Sequence, residues 1–98
     1  MIRHSVILTL YSSLSPSEKM QFFAAVAELK QIPGVQKFEV LKQTSQKNPF
    51  QYGISMEFES QEAYELYTNH SLHSAFVDKY WAACVEDFLE IDYQKLDQ

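Results

Sequence analysis

Cysteine is nearly absent from this 98-residue chain, which carries one, Cys84, so no disulfide can form within it. Cys84 follows Trp81-Ala82-Ala83 and has no cation nearer in sequence than Lys79, so it is expected as a small core residue, not a nucleophile. Glycine is scarce as well, at two residues. No glycine-rich phosphate loop, nucleophile elbow or paired-cysteine motif occurs, which argues against nucleotide, esterase and redox chemistry. Basic residues are few: eight Lys and Arg face thirteen Asp and Glu and form no run. A net charge of −5 repels phosphate backbones, so no nucleic acid is expected as a partner. No apolar run approaches the about 20 residues of a membrane span. A strand-like alternation begins at Ile2, where a signal peptide would lie, so the expected location is cytoplasmic, with no membrane contact.

What the chain does have is apolar and aromatic weight, 46% and 14% of its residues, too much for a disordered segment. Its length fits one domain, residues 1–98, and folding at this size buries about 65% of the unfolded surface. Residues 2–10 alternate as a strand, with Ile2, His4, Val6, Leu8 and Leu10 on the face to be covered. "SPSE" opens a helix: Ser15 caps, Pro16 takes the first turn, and Glu18 completes a capping box. Phe22, Phe23, Val26 and Leu29 form its buried stripe, and Pro33-Gly34 stop it. A second strand covers 35–42, with Phe38 and Val40 on one side. A third covers 50–59, where Phe50, Tyr52, Ile54, Met56 and Phe58 alternate with polar residues.

Ser60 then caps a second helix, whose stripe reads Ala63, Leu66, Tyr67 and His70. A further helical segment, about 72–83, carries Leu72, Phe76, Tyr80 and Ala83. The closing strand, "VEDFLEIDY", alternates Val85, Leu89, Ile91 and Tyr93, with Asp87 on the same face. This order of elements is the ferredoxin-like split βαβ, an α+β fold. It predicts an antiparallel four-stranded sheet with helices on one face. The other face, of mixed polarity, is open to pairing with a second copy.

Five stretches in register carry a resemblance: "IRHSVILTL", "IPGVQKFEV", "YGISMEFES", "YTNHSLHSAFV" and "FLEIDY". With them the chain resembles the Dabb family of stress-responsive dimeric α/β-barrel domains over nearly its whole length. The resemblance implies a homodimer whose two sheets pack as a barrel, and a small cavity between each sheet and its helices. By way of one member, the polyketide cyclase olivetolic acid cyclase, it also implies pocket positions at His4, Tyr67 and His73. Ala25 stands where that cyclase has a pocket tyrosine, and Ser71 where a proline is usual after the first histidine. Some members hold a hard cation on main-chain carbonyls, which here would be those of Leu29, Ile32 and Val35.

The chemistry open to these residues follows from their types. A neutral His73 could act as general base on a carbon beside a carbonyl. Tyr67 could donate a hydrogen bond to the carbonyl oxygen, and His4 could orient either partner. The same groups could equally serve as structural hydrogen-bonding residues. His70, on the apolar stripe, is expected to make a structural hydrogen bond. A three-histidine zinc site from His4, His70 and His73 is not expected, since H-x-x-H lacks the i, i+4 spacing of helical zinc motifs. No cofactor or metal is expected. The sequence thus points to a homodimer that binds a small apolar or aromatic molecule at His4, Tyr67 and His73. A cyclase-like or isomerase-like enzyme and a purely structural stress protein are the alternatives.

Overall fold

Strand β1 (Ile2–Leu10) is hydrogen-bonded along both edges, which places its alternating apolar residues at the centre of the molecule. The computed structural model describes residues 1–97. After β1 come α1 (Pro16–Glu28), β2 (Gln36–Lys42), β3 (Tyr52–Phe58), α2 (Gln61–Thr68), α3 (Ser71–Phe76), α4 (Ala82–Cys84) and β4 (Val85–Tyr93). A 3₁₀ turn, Leu29–Gln31, extends α1, and a π-helical turn, Val77–Trp81, joins α3 to α4. The sheet is antiparallel throughout, in the order β2-β3-β1-β4. This is the ferredoxin-like arrangement that the order of elements predicts.

The helices cover one face only, and the smallest extent of the chain is 17 Å. Under them lie Val6, Leu8 and Leu10 of β1 with Ile54, Met56 and Phe58 of β3, all buried, against Phe22, Val26 and Leu29. Two caps set the helix starts. Ser15 Oγ accepts from Glu18 N while Glu18 Oε1 accepts from Ser15 N, which is the capping box. Ser60 Oγ accepts from Ala63 N at the head of α2. Between α1 and β2 the chain turns at Gly34, whose φ of +94° suits a residue without Cβ.

Three details depart from the periodicity. In α2 the inward residues are Ala63, Tyr64 and Tyr67, while Leu66 is 72% exposed, and the helix ends two residues before His70. The stripe turns about 100° per residue, so choosing Tyr64 over Leu66 rotates the buried arc toward β1. In the next segment Leu72 and Ala83 are exposed, and Phe76 and Cys84 are buried. The π turn adds a residue to the helical repeat and carries Val77 and Trp81 to the sheet side. In β4 a bulge sets Leu10 opposite Val85 but Thr9 opposite Asp87, leaving Glu86 over. Val85 therefore faces the helices, whereas Asp87, Leu89, Ile91 and Tyr93 face away from them. The expected single alternation through Val85, Leu89 and Asp87 is corrected by that one surplus residue.

The bare face holds an ion-paired carboxylate. Glu57 is 7% exposed, with Arg3 Nη2 at 3.0 Å and Lys37 Nζ at 3.7 Å. Lys37 reaches it from a bulge in β2 at a φ of +49°.

These packing differences separate the two accounts of α2. Phe22→Ala is expected to cost about 3–5 kcal/mol in urea unfolding. Leu66→Ala should stay within about 0.5 kcal/mol. A large loss at Leu66 would restore the stripe that the periodicity suggested.

Candidate functional site

His4 lies in the middle of β1 on the helix-covered face, 6% exposed. Its cross-strand neighbour on β4 is Asp92, and His4 Nδ1 stands 2.6 Å from Asp92 Oδ1. A carboxylate can only accept here, so Nδ1 carries the proton. The Tyr64 hydroxyl donates to the other carboxylate oxygen at 3.0 Å and lies 3.1 Å from the same imidazole nitrogen. Burial, then the hydrogen bond and charge of Asp92, push the Tyr64 hydroxyl well above its ordinary pKa. His4, Asp92 and Tyr64 thus form one closed polar network that ties β1, β4 and α2 together.

His73 follows from a different local rule. Asn69 ends α2, and His70 caps α3 by accepting from Leu72 N at 3.1 Å. This places His73 in the first turn of α3, where its Nδ1 meets the Thr68 carbonyl at 3.0 Å. A carbonyl is an acceptor, so Nδ1 is protonated and Nε2 keeps its lone pair in the neutral ring. Burial depresses the His73 pKa below 6.5; the Thr68 bond opposes that shift, and His4 adds to it. Neutral imidazole is the favoured form.

Tyr67 stands between the two imidazoles. Its ring centroid is 4.7 Å from that of His73, 6.2 Å from that of His4 and 5.1 Å from that of Phe58. Burial, with the Glu90 charge behind it, raises its hydroxyl pKa, so it persists as a donor. Tyr67 is 3% exposed and its hydroxyl has no hydrogen-bond partner among the described residues. No described side-chain nitrogen or oxygen is both sealed off and unpartnered, so this hydroxyl opens on a cavity.

That cavity, about 280 Å³, has His4, Tyr67 and His73 in its wall. Val6, Ile54 and Met56 form its floor, Leu29, Phe76, Val77 and Trp81 its helical side, and Phe88 and Glu90 its β4 side. Its size falls just below the about 300–1,000 Å³ usual for ligand pockets. The structure therefore brings together all three positions singled out in the sequence. His70 is not among the lining residues and serves as a helix cap, the structural hydrogen bond expected of it. Among the described residues no group of three His, Cys, Asp or Glu side chains could hold a metal ion. The Leu29 and Ile32 carbonyls accept backbone N–H groups of Ile32 and Val35 at 3.1 and 3.2 Å. Four residues of this region escaped sequence reasoning: Tyr64, Asp92, Glu90 and Phe88. Only the bulge in β4 turns the last three toward the helices, and no alternation pattern reveals a bulge.

The depressed His73 pKa has a stability consequence. The unfolded chain takes up this proton near pH 6.5, the folded one only at lower pH, so stability falls as pH drops below about 6.5. Removing the ring in His73→Gln should flatten that part of the profile in urea unfolding between about pH 7 and pH 5. Parallel profiles for the two proteins would show that His73 titrates normally.

Comparison with known proteins agrees with this geometry. The model of the stress responsive A/B barrel domain family, Dabb, matches residues 2–95. A crystal structure of a Dabb family protein with a ferredoxin-like fold from Mesorhizobium loti is 45% identical. It covers 97% of this chain and 96% of its own, at a TM-score of 0.91. The Arabidopsis thaliana protein At3g17210 is 23% identical, covering 97% and 95%, at a TM-score of 0.85. A hydroxynitrile lyase from Passiflora edulis is 18% identical, covering 99% and 94%, at a TM-score of 0.86. At those last two identities the likeness is one of fold. No curated protein sequence matches the chain. With the family model spanning residues 2–95 and the sheet, helices and covered cavity all in place, the chain belongs to the Dabb family.

Proposed function

We propose that this protein binds a small apolar or aromatic carbonyl compound in the cavity and moves a proton at the carbon beside the carbonyl. The observation that carries this reading is the tautomer of His73. Its Nδ1 is committed to the Thr68 carbonyl, so its Nε2 lone pair is the free one beside a cavity that also holds an unpartnered tyrosine hydroxyl. In such a site His73 acts as general base, since burial keeps it neutral and ready to accept. Tyr67 donates to the carbonyl oxygen as negative charge develops there, which lowers the cost of the enolate. His4, locked by Asp92 and Tyr64, presents Nε2 as a fixed polar point that orients the substrate. The apolar floor of Val6, Ile54 and Met56 lowers the polarity around the reacting carbon, which strengthens both polar contacts.

The same reading includes a homodimer. Ile7, Leu41, Leu89 and Ile91 lie on the bare face of the sheet, and Leu41 and Leu89 are 45% and 49% exposed. A second copy packed there would remove this surface from water. Structural neighbours from Thermobifida fusca and Bacteroides fragilis are described as dimeric. Sedimentation equilibrium should give twice the 11.4 kDa of one chain, and a monomer at micromolar concentration would contradict the dimer.

Proton transfer can be read without knowing the natural substrate. In deuterium oxide, 2-tetralone exchanges the hydrogens beside its carbonyl, and NMR follows their loss. The wild-type protein should accelerate this exchange. His73→Gln should lose about a hundredfold or more of the acceleration, and Tyr67→Phe should lose part of it, with both variants folded by circular dichroism. Acceleration that survives His73→Gln would remove the histidine from the chemistry.

A further inference from the structure

The cavity is also unbalanced in charge. Among the described residues Glu90 is the one carboxylate side chain in the cavity wall, and no described lysine or arginine reaches it. The ion pairs among the described residues engage Glu57 and Asp92 and leave Glu90 free. Lys79, the cation of the adjoining π turn, is held outside. Its Nζ lies 5.3 Å from the centre of the Tyr80 ring, in a separate groove between α1 and α3. Beside Glu90, Phe88 and Trp81 meet edge to face, with ring centroids 5.3 Å apart, and both line the cavity. Aromatic faces next to an unpaired carboxylate are the chemistry that recognises an organic cation. The Glu90 charge reaches into the site, acting on both Tyr67 and His73.

Resting on the reading of this cavity as a small-molecule site, we propose that Glu90, Trp81 and Phe88 form a cation subsite at its β4 side. The ligand of this protein is then an aromatic or alicyclic molecule that bears a protonated amine. A carboxylate or phosphate on the ligand would meet the Glu90 charge with no basic residue to offset it. A neutral His73 sets no positive charge of its own against the amine, so the amine and the base coexist. The excess of acidic residues over the whole chain favours the approach of a cation in the same sense.

The test compares three probes of one shape: benzylamine, benzyl alcohol and benzoate, titrated into the isotope-labelled protein and followed at the Trp81 indole and the His73 ring. Protonated benzylamine should bind about fivefold or more tightly than benzyl alcohol, and benzoate more weakly than either. Glu90→Gln should bring benzylamine to the affinity of benzyl alcohol and leave benzyl alcohol unchanged. Benzyl alcohol binding at these resonances without any charge preference would overturn the cation subsite and leave the small-molecule site standing. A preference for benzylamine that survives Glu90→Gln would also overturn the subsite. Silence at both resonances with all three probes would overturn the subsite and the small-molecule site together.

Discussion

One surplus residue in the last strand decides what the cavity contains. Because Glu86 is left over opposite Leu10, the rest of β4 is set so that Phe88, Glu90 and Asp92 face the helices. Without the bulge, Asp87, Leu89 and Ile91 would take those places, the cavity would lose Glu90, and His4 would lose Asp92. The other face gains by the same shift: Leu89, Ile91 and Tyr93 join Ile7 there, which makes it fit for a second copy. A single irregularity thus brings Glu90 and Asp92 to the helix side and Leu89 and Ile91 to the open face.

The polar groups in the cavity differ in how tightly their states are held. His4 is held at Nδ1 by both Asp92 and Tyr64, at 2.6 and 3.1 Å. His73 is fixed at one nitrogen only and is kept neutral by burial. Tyr67 is held by the packing of its ring against Phe58 and the two imidazoles, with its hydroxyl free. This gradation suits a site in which one group orients, one donates and one accepts. Tyr67, whose pKa is raised, and His73, whose pKa is lowered, are both uncharged in the resting cavity. Glu90 supplies the charge, at the β4 side.

Much of this was legible in the sequence, and the exceptions have physical reasons. The β1 alternation, the capping box at Ser15 and the cap at Ser60 are local signals, and each appears as read. Family resemblance supplied His4, Tyr67 and His73, which do line one cavity. The role of His70 as a cap was hidden because the break between α2 and α3 comes one turn early and interrupts the apparent stripe. Tyr64 is not legible in the sequence because helix periodicity alone does not tell which neighbouring arc faces the sheet. Trp81, Glu90 and Asp92 depend on a π turn and a bulge, each an extra residue within a regular element. Such insertions change the facing of everything beyond them, and composition carries no trace of them.

The central claim is that His73 is neutral in the folded protein, with its proton on Nδ1 and its lone pair on Nε2. Long-range nitrogen–proton correlation NMR of the imidazole at neutral pH reads both points at once. The structure predicts a protonated, pyrrole-like Nδ1, an unprotonated Nε2 and a titration midpoint below 6.5. A proton on Nε2, or a ring already charged at neutral pH, would contradict the account and remove the base from the cavity.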